Sequence, residues 1–273
     1  MLEKLIFFDV DGTLVQFDGT MPHSTKEALR RARENGHKLV ICTGRSKFQI
    51  YPWLLELKFD GIVAAAGAYV EWKDQCVSHQ MVSAEALQSF VSYFAKEQIP
   101  YCLQTVNGAI ATAANEHAIL QLFEDKFCVS KEQVRQVFGG MTLDNEPGKR
   151  TDIEKMIYYD SPYPVSEVAK VLAPAFDVTV TSFAQADESS GEVTLAGITK
   201  SYGMKKLMEY AGYTKNDTIA FGDGFNDLDM LQFAGLGIAM GNAVEPVRNV
   251  ADKVTACVDE DGILCALSEL ALI

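Results

Sequence analysis

The 273-residue chain carries 37 acidic against 24 basic side chains, a formal net charge of −13, with 48% hydrophobic residues. That apolar content can bury a sizeable core in one large domain or two modest ones, and the acidic balance excludes a general nucleic-acid-binding or anionic-membrane surface. No apolar stretch is long enough to span a bilayer, "MLEK" lacks a basic region ahead of an apolar core, and the six cysteines are scattered without CxxC spacing, so a cytoplasmic protein with reduced thiols is expected.

The first element is "LIFFDVDGT", residues 5 to 13, a short apolar run bounded by Gly12 that reads as a buried strand. Asp9 and Asp11 lie at its carboxyl end, where open α/β sheets bind ligands, and their i, i+2 spacing lets both face one point. Ordinary turn chemistry is the plain alternative. "HSTKEALRRARENG" then predicts a helix, with Ser24 and Glu27 at capping-box spacing and Gly36 at its end. "KLVIC" is a second apolar run, followed by Thr43-Gly44-Arg45, and "GIVAAAGAYV" is expected as the third strand. This βαβ alternation implies a parallel sheet.

The middle of the chain changes character. "SAEALQSFVSYFAKEQ" and "NEHAILQLFEDKF" read as helices, and Asn107-Gly108 between apolar alternations signals a hairpin. "DIEKMIYYD", "PVSEVAKVLAPA", "FDVTVTSF" and "GEVTLAG" add strand, helix, strand and strand. We expect an α+β domain over residues 83–190, inserted into an α/β domain formed by 1–82 and 191–273. The α/β pattern resumes with the helix "TKSYGMKKLMEYAG", the strand and loop "DTIAFGDGFND", and the helix "DLDMLQFAG". "LGIAMGNA", "PVRNVADKVT" and "DGILCALSELALI" finish a strand, a short helix, a further strand and a final helix. The four histidines are isolated and read as surface or loop residues. Lys149-Arg150, the most basic short stretch of the insertion, reads as a solvated loop.

Placed together, the strand ends present Asp9, Asp11, Thr43, Asp223 and Asp227, with Lys200 opening a helix. Four carboxylates at one mouth require a cation, and oxygen-only ligands point to a hard ion, Mg²⁺. An ion, a lysine, the Thr43 hydroxyl and backbone N–H groups would trap a phosphoryl group, whose transfer needs mainly positioning and charge neutralisation. Asp9 is the candidate nucleophile, and Asp11 the candidate acid and then base.

The strand with "DVDGT", "TGR" after the second strand, Lys200 before a helix, and "GDGFND" resemble, in order and over the whole chain, the four motifs of the haloacid dehalogenase (HAD) superfamily of phosphatases. The inserted domain and the tail "AMGNAVEPVRNVAD" with "DGI" are similar to its Cof-type IIB branch. The resemblance implies a Rossmann-like parallel-sheet core with a C2B-type α+β cap that closes over the substrate. It implies Asp9 as the phosphorylated nucleophile and Asp11 as acid/base. Asp9, Asp223 and the Asp11 carbonyl would hold Mg²⁺, with Asp227 supporting that shell. Thr43, Gly44, Lys200 and Asn226 would bind phosphate or place the lysine. One departure is Ala66-Gly67-Ala68, where the branch carries Asn-Gly-Ala. The expected activity is hydrolysis of a small phosphate ester, with sugar phosphates first and flavin mononucleotide and pyridoxal phosphate open. The alternatives are a phosphomutase and a phospho-acceptor binding module; a dinucleotide-binding reading lacks a GxGxxG after the first strand.

Overall fold

The computed structural model describes residues 3–137, 140–181 and 189–273. In chain order the first elements are β1 (Leu5–Phe8), α1 (His23–Glu34), β2 (Lys38–Cys42), α2 (Pro52–Leu55), β3 (Gly61–Ala64), β4 (Tyr69–Trp72) and β5 (Gln75–His79). Then come α3 (Ala84–Glu97), β6 (Tyr101–Thr105), β7 (Gly108–Ala111), α4 (Ala113–Phe127), α5 (Lys131–Val137) and β8 (Met141–Leu143). β9 (Lys155–Tyr158), α6 (Val165–Leu172), β10 (Phe176–Val180) and β11 (Gly191–Leu195) follow. The chain closes with α7 (Lys200–Ala211), β12 (Thr218–Gly222), α8 (Leu228–Phe233), β13 (Leu236–Ala239), α9 (Glu245–Val250), β14 (Lys253–Val254) and α10 (Gly262–Glu269). Ser182 and Phe183, read from sequence as the end of a strand, lie outside the described residues.

Two compact units result. Met1–Gly44, Pro52–Ser78 and Thr199–Ile273 form the first, and Arg45–Tyr51 with His79–Ile198 form the second. The sequence reading set the insertion at 83–190. β11 pairs antiparallel with β10 and β9, which carries the second unit past residue 190.

The first unit is built on an eight-stranded sheet in the order β14-β13-β12-β1-β2-β3-β4-β5. From β14 to β3 all pairings are parallel, and β3–β4 is antiparallel. β1 lies in the middle because its four residues are apolar on both faces and wholly buried. Each such side chain stabilises the fold by about 1.5–3 kcal/mol. On one face Leu5, Phe7 and Val40 pack with Met204 and Leu207 of α7 and Met230 of α8; Phe8 and Phe221 stack at 5.1 Å.

Three local expectations are corrected. "GIVAAAGAYV" is two strands rather than one: Ala65 and Ala66 adopt φ of 48° and 53°, turning β3 back into β4. Gly67, at φ 107°, is required there, since a Cβ would lie 1.9 Å from the Thr199 carbonyl oxygen. α1 starts at His23 behind Pro22, without a side-chain cap, so Ser24 falls inside the first turn and Glu27 instead accepts from Arg30. His37 is buried, and its Nδ1 accepts from the Lys4 N–H at 3.1 Å.

In the second unit a six-stranded sheet runs β10-β11-β9-β6-β7-β8, antiparallel except for β7–β8. Strand alternation gives it two apolar faces. Leu103, Met156 and Tyr158 pack with Phe90 and Phe94 of α3, while Cys102, Ile157 and Tyr159 pack with Ile119 of α4 and Val134 of α5. The basic pair is consumed locally: Arg150 binds Asp152 at 2.6 Å and Asp144 at 3.1 Å, and Lys149 binds Glu146. All six cysteines are free thiols.

Candidate active site

Strand register gathers the site. Phe8 of β1 is level with Ile41 of β2 and Phe221 of β12, so Asp9, Thr43 and Asp223 leave the sheet at the same edge within two residues of that line. The Asp9 N–H continues the ladder by donating to the Phe221 carbonyl at 2.9 Å. α7 brings its first residue to this edge, with the Thr199 hydroxyl accepting from the Tyr202 N–H and Asp229 accepting from the Ser201 N–H.

Lys200, only 1% exposed, donates from Nζ to Asp9 Oδ1 and to Asp227 Oδ1, both at 2.6 Å. Asp227 is wholly buried, and its Oδ2 accepts from the backbone N–H groups of Asp223 and Gly224 at 3.0 Å. Asp9, Asp223 and Asp227 each offer a carboxylate oxygen within 4.8 Å of the others. Gly12 sits at φ +83°, and a Cβ there would meet Asp223 Oδ2 at 2.2 Å, so only glycine lets the loop after β1 approach this carboxylate.

Three carboxylates against one ammonium leave excess negative charge in a dry place. Burial, followed by the charge of Asp227, pushes the Asp9 carboxyl well above its ordinary range, although Lys200 opposes the rise. Burial and then Asp227 push Asp223 up to about 7, with the Thr13 hydrogen bond pulling the other way. Burial works against the Lys200 ammonium, but Asp227 and Asp9 outweigh it and hold it charged. The cluster is therefore built to accept a further positive charge, and its oxygen-only donors suit a hard divalent ion.

Asp9, Asp223, Asp227 and Lys200 thus meet directly. Asp11 is partly exposed at the same mouth, close enough that its charge raises both Asp9 and Asp223. Thr43 is buried; its N–H donates to Val63, and its carbonyl accepts from Ala66 in the left-handed turn. Gly44 follows it, half-buried. Asn226 is exposed on the turn Phe225–Asp227, whereas the partners drawn onto Lys200 are Asp9 and Asp227. Arg45, next in the chain, donates to the Gln49 carbonyl and the Tyr51 hydroxyl and lies over the Tyr51 ring.

Sequence reasoning missed two residues. The Thr13 hydroxyl donates to Asp223 Oδ1 at 3.2 Å, and Asn242 Nδ2 donates to the Gly12 carbonyl at 2.9 Å and to Asp223 Oδ2 at 3.3 Å. Thr13 closes the quoted "DVDGT" and Asn242 sits in "MGNA", so both lay inside stretches already singled out.

Residues 6–267 match the family model of the haloacid dehalogenase-like hydrolases. YkrA of Bacillus subtilis (strain 168), provisionally named a phosphatase, is 31% identical over 278 residues, covering 100% of both chains. The 5-amino-6-(5-phospho-D-ribitylamino)uracil phosphatase YitU of the same organism is 28% identical, over 97% of this chain and 96% of its own. Among solved structures, the HAD subclass IIB sugar phosphatase BT4131 superposes with a TM-score of 0.79 at 29% identity, over 99% of this chain and 100% of that one.

Proposed function

Because the chain belongs to the haloacid dehalogenase-like hydrolases and is one of their Cof-type phosphoric monoester hydrolases, we propose that it cleaves small phosphate esters through a phosphorylated Asp9 with Mg²⁺ as its ion. The observation that carries this reading is the Lys200 ammonium bridging Asp9 and Asp227 at 2.6 Å, with Asp223 completing a carboxylate cluster. Asp9 and Asp223, with the Asp11 backbone carbonyl, would hold the ion. Asp227 supports them from behind, since its own oxygens are taken by Lys200 and two backbone N–H groups. When bound, Mg²⁺ supplies positive charge against the phosphoryl oxygens.

The chain's own groups supply the rest. Lys200, the Thr43 hydroxyl and the Gly44 N–H neutralise or hydrogen-bond the phosphoryl oxygens, with Asn226 at the rim. An Asp9 carboxylate oxygen attacks phosphorus while the ester P–O bond breaks, and the departing alkoxide takes a proton from Asp11. Asp11 then accepts a proton from water as that water attacks phosphorus, the Asp9–phosphoryl bond breaks, and inorganic phosphate leaves with Asp9 regenerated. The inserted second unit is the cap.

The substrate we favour carries its phosphate on a polyhydroxylated carbon chain. A sugar phosphatase and a phosphoribityl phosphatase are both among the relatives, and the phosphorylated portion common to their names is of that kind. The test is phosphate release from sugar and polyol phosphates, flavin mononucleotide, pyridoxal phosphate and p-nitrophenyl phosphate, with Mg²⁺ and with EDTA. Metal-dependent release, fastest on the polyol esters, is expected. Release undiminished by EDTA would remove the ion from the account, and a preference for the aromatic phosphates would remove the substrate class.

A further inference from the structure

Asn242 lies outside the four motifs, yet its amide joins three segments of the first unit. Its Nδ2 donates to Gly12 and Asp223, and its Oδ1 accepts from the Val258 N–H at 2.9 Å. The partners fix the orientation of the amide, because a carbonyl oxygen can only accept and a backbone N–H can only donate. The loop carrying it is clamped independently: the Met240 N–H donates to the Gly222 carbonyl at 3.0 Å and the Val244 N–H to the Asp223 carbonyl at 3.2 Å. The side chain is thus delivered to the carboxylate by backbone that does not depend on it.

Each oxygen of Asp223 is met by one neutral donor, Thr13 at Oδ1 and Asn242 at Oδ2. Neutral donors fix the rotamer of an anionic carboxylate without bringing a cation that would compete for it. The Gly12 bond does a second task, since it tethers the loop that carries Asp11 to the same amide. We infer that Asn242 is a positioning residue that aims Asp223, and with it the Asp11 loop, at the divalent ion, and so sets the affinity of the protein for that ion. The inference rests on the metal-dependent reading above.

The experiment compares wild type with Asn242→Ala and Asn242→Asp. The aspartate variant keeps an acceptor for the Val258 N–H but has no donor for Gly12 and Asp223. Calorimetric titration with Mg²⁺ or Mn²⁺ without substrate is expected to show about tenfold or greater weakening in both variants, the cost usual for removing a residue that orients a metal ligand. The Mg²⁺ concentration for half-maximal hydrolysis of p-nitrophenyl phosphate should rise in step, while KM for the ester at saturating Mg²⁺ stays at the wild-type value. Wild-type ion affinity in either folded variant overturns the inference. If Asn242→Ala fails to fold, Asn242→Asp decides alone. Should wild type release no phosphate from any ester, the proposed function fails, while calorimetry still decides the role of Asn242.

Discussion

Replacing Lys200 with methionine keeps an unbranched side chain one atom shorter and removes its charge, which tests the electrostatic role of the bridge. At 2.6 Å and an effective dielectric constant near 20, each Lys200–carboxylate contact is worth roughly 6 kcal/mol gross. Taking the ammonium out of water costs several kcal/mol, and removing one partner of a buried pair typically costs about 3–5 kcal/mol net. Lys200→Met should therefore lose about 3–5 kcal/mol at pH 7.5 in EDTA, read by urea denaturation of the two proteins. The pH dependence has a definite sign. Asp9 already binds its proton more tightly in the folded than in the unfolded chain, and loss of Lys200 raises its pKa further. A carboxyl raised on folding contributes instability above its folded pKa, and that instability disappears as pH falls toward the unfolded value near 4. The deficit of the variant should thus shrink between pH 7.5 and pH 5. A loss below about 1 kcal/mol at pH 7.5, or a deficit that grows on acidification, would refute the argument that buried carboxylate charge is what Lys200 compensates.

With Asp223 pushed up to about 7 by burial, protons and Mg²⁺ compete for it, so calorimetric Mg²⁺ affinity should strengthen from pH 6 to pH 8; a flat profile would contradict this. The same carboxyls make EDTA-treated protein gain thermal stability as pH is lowered from 8 toward 5, and stability falling over that interval would contradict the raised pKa values. Gly12→Ala places a Cβ 2.2 Å from Asp223 Oδ2 at φ +83°; turnover of p-nitrophenyl phosphate should fall about a hundredfold or more, since a displacement of about 1 Å at a catalytic group costs that much. Ala66→Gly relieves a left-handed alanine at φ 53° and should raise stability by about 1 kcal/mol in urea denaturation, whereas a loss would show that the turn is not strained.

What the sequence made legible were features written in contiguous residues. Leu5–Phe8 is apolar on both faces, so its central place in a parallel sheet and the delivery of Asp9 to the sheet edge follow from local pattern. Asn107-Gly108 announced the β6–β7 hairpin for the same reason. The β3–β4 turn was hidden because Ala65 and Ala66 carry none of the usual turn chemistry; Thr43 and α7 hold the chain there through tertiary contacts. The Ser24–Glu27 spacing misled, since the helix takes Pro22 rather than Ser24 as its N-cap and so starts two residues earlier. Thr13 and Asn242 stayed unread because their partner Asp223 is 210 and 19 residues away, and a hydrogen bond of that kind leaves no periodicity to detect. His79 is a further example, pairing with the wholly buried Glu154 at 2.7 Å across 75 residues of the second unit.

The most direct test of the central claim is to trap the covalent species. Wild-type protein is mixed with a polyol phosphate and Mg²⁺, quenched during turnover and reduced with borohydride, which converts an acyl phosphate to an alcohol; peptide mass spectrometry then locates the reduced residue. The account predicts reduction at position 9, none in Asp9→Asn, and none without substrate. Phosphate release continuing in wild type with position 9 unmodified throughout, or turnover persisting in Asp9→Asn, would contradict it.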